Sequence, residues 1–209
     1  MKRTLLGAAI LLIGCRSQEG GPGPATPASN APAAPVAAAS ATAAAPLTAD
    51  SSASVGSTKV WSFDTDAPGA PPKGFSFGRT GDGREGKWIV RAEADAPTGP
   101  NVLTQTDADA SDYRFPIAFA DAPALRDLEL SVRCKPVSGS IDQACGLAFR
   151  LSDSNNYYVT RANALENNVR LYFVKDGKRQ QIAGWSGKVT SGAWHEYRVV
   201  ARGDHFEVY

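Results

Sequence analysis

The chain has 209 residues, with 22 Lys and Arg against 21 Asp and Glu for a net charge of +1. That balance gives no ground for nucleic acid or an anionic membrane surface as a partner. Two histidines and three cysteines leave little material for an imidazole or thiolate metal centre, or for a serine triad.

Residues 1–14 read as an export signal peptide. Lys2 and Arg3 give a basic start, and Leu5 to Ile13 is an apolar run broken only by Gly7, which matches the n-region and h-region of a secretory leader. A spanning helix needs about 20 apolar residues, so the run is an address and not an anchor. Leu12-Ile13-Gly14-Cys15 resembles the lipobox of bacterial lipoproteins. The resemblance implies that the Cys15 thiol receives a lipid, that the leader is cut just before it, and that the protein is held to a membrane through acyl chains. Arg16 in place of an aspartate favours the outer membrane, on its periplasmic side or at the cell surface.

Residues 15–58 are a linker of Ala, Pro, Gly, Ser and Thr with scarcely any large apolar residue, a composition that cannot bury a core. At about 3.1 Å per residue a semi-extended chain of this kind reaches on the order of 100 Å. The folded domain is 59–209, where composition changes at Val60-Trp61-Ser62-Phe63. Some 150 residues suffice for one core.

Within the domain the pattern is all-β. Trp88 to Ala92 and Val102 to Gln105 read as strands in a first half that is otherwise irregular. Leu128, Leu130 and Val132 then alternate with polar residues, as do Leu147, Phe149 and Leu151, then Val169, Leu171 and Phe173, then Tyr197, Val199 and Ala201. Period two marks half-buried strands, and Asp176-Gly177 marks a two-residue hairpin turn. Short strands with turns every 8 to 12 residues or so predict an antiparallel two-sheet jelly-roll sandwich. Cys134 and Cys145 lie on the apolar faces of two such strands, in a chain read as exported, and predict a disulfide.

The stretch Gly146-Leu-Ala-Phe-Arg150, Asn156-Tyr157-Tyr158, Arg161-Ala-Asn163-Ala-Leu-Glu166-Asn167-Asn168-Val-Arg170-Leu-Tyr172, Asp176-Gly177 and Trp194-His195 resembles the 3-keto-disaccharide hydrolase-like domain of unknown function, within the concanavalin-A-like lectin and glucanase superfamily. The resemblance runs from about Leu128 to Tyr209 and implies a jelly roll, export and glycan-related work. It also implies further strands beyond Tyr209, so the domain is expected to be incomplete at its C-terminus.

Candidate chemistry comes from residue types. Arg150, Tyr158, Arg161, Asn163, Asn168, Arg170, Tyr172 and Trp185 combine planar polar groups with aromatic faces, the mixture that binds sugar hydroxyls and sugar C–H surfaces. Together with the resemblance they predict a glycan or disaccharide ligand, bound or hydrolysed; the alternative is a structural or adhesive sandwich. Glu93 and Asp95 stand two apart, as a retaining glycosidase pair can on a strand, but the third acid of a laminarinase-type motif is absent, so no catalytic residue is assigned. No cofactor is expected, although Asp64 and Asp66 have oxygens that a structural calcium could use. Arg202-Gly203-Asp204 reads as a turn between strands.

Overall fold

The computed structural model describes residues 9–11 and 58–209. The expected lipidation site Cys15 and nearly all of the linker 15–58 lie outside the described residues. Of the described residues, 9–11 and 61–209 belong to one compact unit.

Among the described residues the regular elements are all strands. The twelve are β1 (Ala9–Leu11), β2 (Phe75–Gly81), β3 (Trp88–Ala92), β4 (Asn101–Gln105), β5 (Arg114–Ala120), β6 (Leu128–Cys134), β7 (Ala144–Asp153), β8 (Asn156–Asn163), β9 (Asn168–Lys175), β10 (Lys178–Ser186), β11 (His195–Arg202) and β12 (His205–Val208). They form a seven-stranded sheet in the order β10-β9-β8-β7-β1-β5-β2, a three-stranded sheet β12-β11-β6, and the hairpin β3-β4. Hydrogen-bonded neighbours are antiparallel throughout, as in the central pair β7 and β8 and the outer pair β11 and β6. The expected all-β antiparallel sandwich is what folds.

The sandwich exists because β7, β8 and β9 turn one side chain in two toward the small sheet. Cys145, Leu147, Phe149, Ala162 and Leu171 pack there against Leu128, Tyr197, Val199 and Ala201 of β6 and β11. Their alternate neighbours Ala148, Val159 and Tyr172 join Phe115 and Ile117 of β5 on the opposite face of the large sheet. A strand buried on both faces cannot alternate with polar residues. That is why β5, Arg-Phe-Pro-Ile-Ala-Phe-Ala, does not read as a strand in the sequence, and Pro116 inside it weakens the signal further. The glycines Gly78 and Gly81 hide β2 in the same way, so the first half is more regular than expected.

One period-two expectation needs correction. Leu147, Phe149 and Leu151 do not share a face, because the β7–β8 register shifts between Phe149 and Asp153 and Arg150 takes φ 52°. A non-glycine residue with positive φ at a register shift marks a bulge, which re-aims the side chains beyond it. Leu151 therefore packs with Phe115 and Ile117, away from Leu147.

Asp176 and Gly177 have φ 50° and 73°, the positive pair that a type I′ hairpin requires. Gly203, at φ 52°, turns β11 into β12 and leaves Arg202-Gly203-Asp204 as a hairpin connection. The Cys134–Cys145 disulfide is formed, with Cα atoms 6.2 Å apart. Cys134 ends β6 in the small sheet and Cys145 begins β7 in the large one, so the bridge ties one sheet to the other.

Candidate functional site

The β8–β9 hairpin gathers four of the eight residues singled out in the sequence. Asn163 stands opposite Asn168, and Arg161 opposite Arg170, in the β8–β9 register. The chain turns between them on the Asn163 side chain, whose Oδ1 accepts the N–H groups of Leu165 at 2.9 Å and Glu166 at 3.3 Å. This Asx turn brings Glu166 back over the sheet. There the Arg161 guanidinium donates to Glu166 Oε2 at 2.7 Å, to Asn168 Oδ1, and to Tyr172 Oη at 3.2 Å. Asn168 Nδ2 closes the ring by donating to the same Glu166 oxygen at 3.0 Å.

The cluster is buried rather than open on a sheet face. Arg161 is 2% exposed, and Asn163, Asn168 and Tyr172 are buried with it, while the Glu166 side chain keeps 25% of its surface in solvent. Arg179 caps the tyrosine, its guanidinium carbon 4.4 Å from the Tyr172 ring centre. Among the described residues, Arg161 Nε and Asn163 Nδ2 are buried donors without an acceptor. Such groups are uncommon and costly, so each calls for a reason.

The other four residues divide between structural work and a separate surface. Tyr158 stacks on Phe149 with ring centres 5.7 Å apart, inside the sandwich. Arg150 donates to the backbone oxygens of Arg126 and Gly203 and lies 4.9 Å from the Phe206 ring centre, locking the bulge to the β11–β12 turn. Arg170 lies on the same sheet face as Arg161 but spends its guanidinium on Trp185 O at 2.7 Å and Ser186 Oγ at 3.2 Å. Trp185 is 57% exposed and shares a small cleft of about 300 Å³ with Val169, His195, Tyr197 and Tyr209. Its indole rests on Gly187, where a Cβ would come within 2.0 Å of the ring. Trp185 pairs in register with Val169, one residue off the Arg161 row, and so belongs to the other face of the sheet.

Glu93 and Asp95 converge on one cation. Lys135 Nζ donates to Glu93 Oε1 at 2.8 Å and to Asp95 Oδ1 at 2.7 Å, and lies 5.1 Å from the Trp194 ring centre. The Lys135 hydrogen bond holds the Asp95 carboxyl below the usual range. A general acid needs the reverse shift, so the pair reads as an ion triad joining the β3–β4 hairpin to β6. Asp64 and Asp66 accept backbone N–H groups, from Asn101 at 3.3 Å and Lys73 at 3.1 Å. Among the described residues no group of three or more His, Cys, Asp or Glu gathers as a metal site.

Gly74-Phe75-Ser76-Phe77-Gly78 has the spacing of a nucleophile elbow, a match the sequence reading missed. Ser76 nevertheless sits within β2, paired with Phe119, and not on the strand-to-helix turn that the elbow needs.

No family model matches the chain, and no curated protein matches it. One solved structure is similar: the carbohydrate binding module CBM66 from Bacillus subtilis, at 20% identity, covering 65% of this chain and 73% of that one, with a TM-score of 0.48. A likeness of that strength carries no function across.

Proposed function

We propose that the domain binds a glycan at the Arg161–Glu166–Asn168–Tyr172 cluster, and that it does so outside the cell membrane as a lipid-anchored exported protein. The observation that carries the binding site is the pair of buried donors, Arg161 Nε and Asn163 Nδ2, beside a carboxylate that remains partly open. Two N–H groups without an acceptor favour a ligand rich in oxygen acceptors, which sugar hydroxyl and keto groups supply. The planar array is already held in place by its own hydrogen bonds, so little ordering remains to oppose binding.

Hydrolysis of a 3-keto-disaccharide is the further step implied by the sequence resemblance, and no residue is assigned to it. Export and anchoring rest on the leader, on Leu12-Ile13-Gly14-Cys15, and on a disulfide that suits an oxidising compartment.

The test is a glycan array that includes oxidised keto-disaccharides, probed with the full chain and with Glu166→Gln and Trp185→Ala. The expected result is a sugar ligand whose binding Glu166→Gln weakens about tenfold or more, the loss of one charge-assisted hydrogen bond, while Trp185→Ala leaves it intact. Turnover lost in Glu166→Gln with binding retained would identify a hydrolase. A sugar ligand lost only with Trp185→Ala would move the site to the other face, and the absence of any ligand would leave a structural sandwich.

A further inference from the structure

Arg161, Arg170 and Arg179 share the face of the large sheet turned away from the small one. Arg161 stands opposite Arg170 in the β8–β9 register. Arg179 stands opposite Val174, and Val174 opposite Tyr157, so Arg179 lies on the face that carries Val174, Tyr157 and Tyr172. Glu166 answers the charge of Arg161. The other two have no such partner: among the described residues no Asp or Glu lies within ion-pair distance of Arg170 or Arg179. Arg170 spends its N–H groups on the neutral oxygens of Val169, Trp185 and Ser186.

Arg179 is held differently. Its guanidinium carbon lies 4.7 Å from the Phe115 ring centre and 4.4 Å from that of Tyr172, and among the described residues its side chain donates no hydrogen bond. Aromatic faces attract a cation, but guanidinium N–H groups point outward in their own plane, where a stacked ring offers no acceptor. Two rings thus fix the orientation of a half-buried group and leave its donors unspent. A planar fork of this kind matches the two oxygens of a carboxylate. Tyr172 links it to the neighbouring cluster, since Arg161 donates to the Tyr172 hydroxyl at 3.2 Å while Arg179 lies on the ring.

Building on the glycan reading of that cluster, we infer that the ligand is an acidic glycan, whose uronate carboxylate the Arg179 guanidinium takes in two parallel hydrogen bonds. Charge fixes the sign. Arg161 and Glu166 cancel, whereas Arg170 and Arg179 leave this face positive, which draws an anion and repels an amino sugar. A neutral sugar would leave the Arg179 fork without the charged acceptor it fits.

The experiment titrates the 209-residue chain by calorimetry with oligomers of galacturonate, glucuronate and mannuronate. Each is used as the free acid and as its methyl ester, which keeps the sugar and removes the charge; a sulfated oligosaccharide is a further arm. At least one uronate should bind about tenfold or more tighter than its ester, with the preference shrinking as salt is raised. Arg179→Gln should remove most of that preference. Arg179→Lys keeps the charge without the fork; it should melt like the parent and lose part of the preference, which covers a glutamine variant that fails to fold. Outside the described residues the chain has two acids, Glu19 and Asp50, and Glu19→Gln with Asp50→Asn should leave uronate affinity as it was. Equal affinity for acid and ester, a preference that survives Arg179→Gln, tighter binding of the sulfated sugar, or a rise in uronate affinity when Glu19 and Asp50 are neutralised overturns the inference and leaves a glycan at Glu166 standing. A preference lost in Arg179→Gln but indifferent to Glu166→Gln supports the acidic ligand and overturns the Glu166 site. Absence of binding by any sugar overturns both.

Discussion

Glu166→Ala should destabilise the domain more than Arg161→Met, although arginine is the larger and more buried of the two. Arg161→Met removes three donated hydrogen bonds but keeps an apolar stem in the packing, and it leaves Glu166 with 25% of its side chain in water and the Asn168 amide still bonded. The cost is that of losing bonds to a charged group whose partner can rehydrate, about 1.5 to 3 kcal/mol. Glu166→Ala leaves a guanidinium that is 2% exposed with neutral partners only. Arginine cannot shed its proton to escape, and breaking a buried pair in this way costs about 3 to 5 kcal/mol. For a domain of this size that is a fall in Tm of roughly 6 to 20 °C. Urea unfolding of both variants, with slopes checked against the parent, measures the difference. A Glu166→Ala cost at or below that of Arg161→Met would refute the argument, because it would mean that Arg161 reaches solvent.

Three other outcomes are expected of the disulfide, the buried phenols and the anchor. Thiol titration of the unreduced domain should find neither Cys134 nor Cys145 free, and reduction should cost about 2 to 3 kcal/mol, since the bridge closes a short loop of sequence separation 11. Burial pushes the Tyr197 phenol up to about 12 and raises Tyr157 as well. A pKa raised on folding leaves stability whole below the unfolded value near 10 and removes it as the pH climbs toward the folded one. Melting temperature should therefore hold to about pH 10 and fall above it, less steeply in Tyr197→Phe. Cys15→Ser should no longer incorporate labelled fatty acid in cells, and equal labelling of the mutant would remove the anchor from the proposal.

The sequence is most legible where one face of a strand is wet. Leu128, Leu130 and Val132 in β6, and Tyr197, Val199 and Ala201 in β11, alternate because the small sheet has an outer face, and the bridge between Cys134 and Cys145 follows from that same alternation. The signal fails in β5, where both faces are buried and Pro116 interrupts it. In β7 it fails because a single positive φ at Arg150 reverses the pattern that Leu147 and Phe149 begin. The candidate site was legible as residue types but not as depth. Arg161, Asn163, Asn168 and Tyr172 look like a polar surface until Glu166, brought back by the Asn163 turn, supplies the charge that lets an arginine be buried. Trp185 was grouped with them because it is near in sequence, and one residue of register puts it on the opposite face.

The seat of Trp185 also has a use in measurement. Its indole lies on bare backbone at Gly187 and is 57% exposed, whereas Trp88 is 3% exposed. One fluorophore therefore emits from a wet environment and another from a dry one, within the same chain. Iodide should quench the red-shifted part of the emission and spare the blue, and the difference from Trp185→Phe separates Trp185 from the half-buried Trp61 and Trp194, so Trp185 reports on its own cleft without a label. A ligand settling there would protect the red component, whereas one bound at Arg161 would leave the quenching curve as it was.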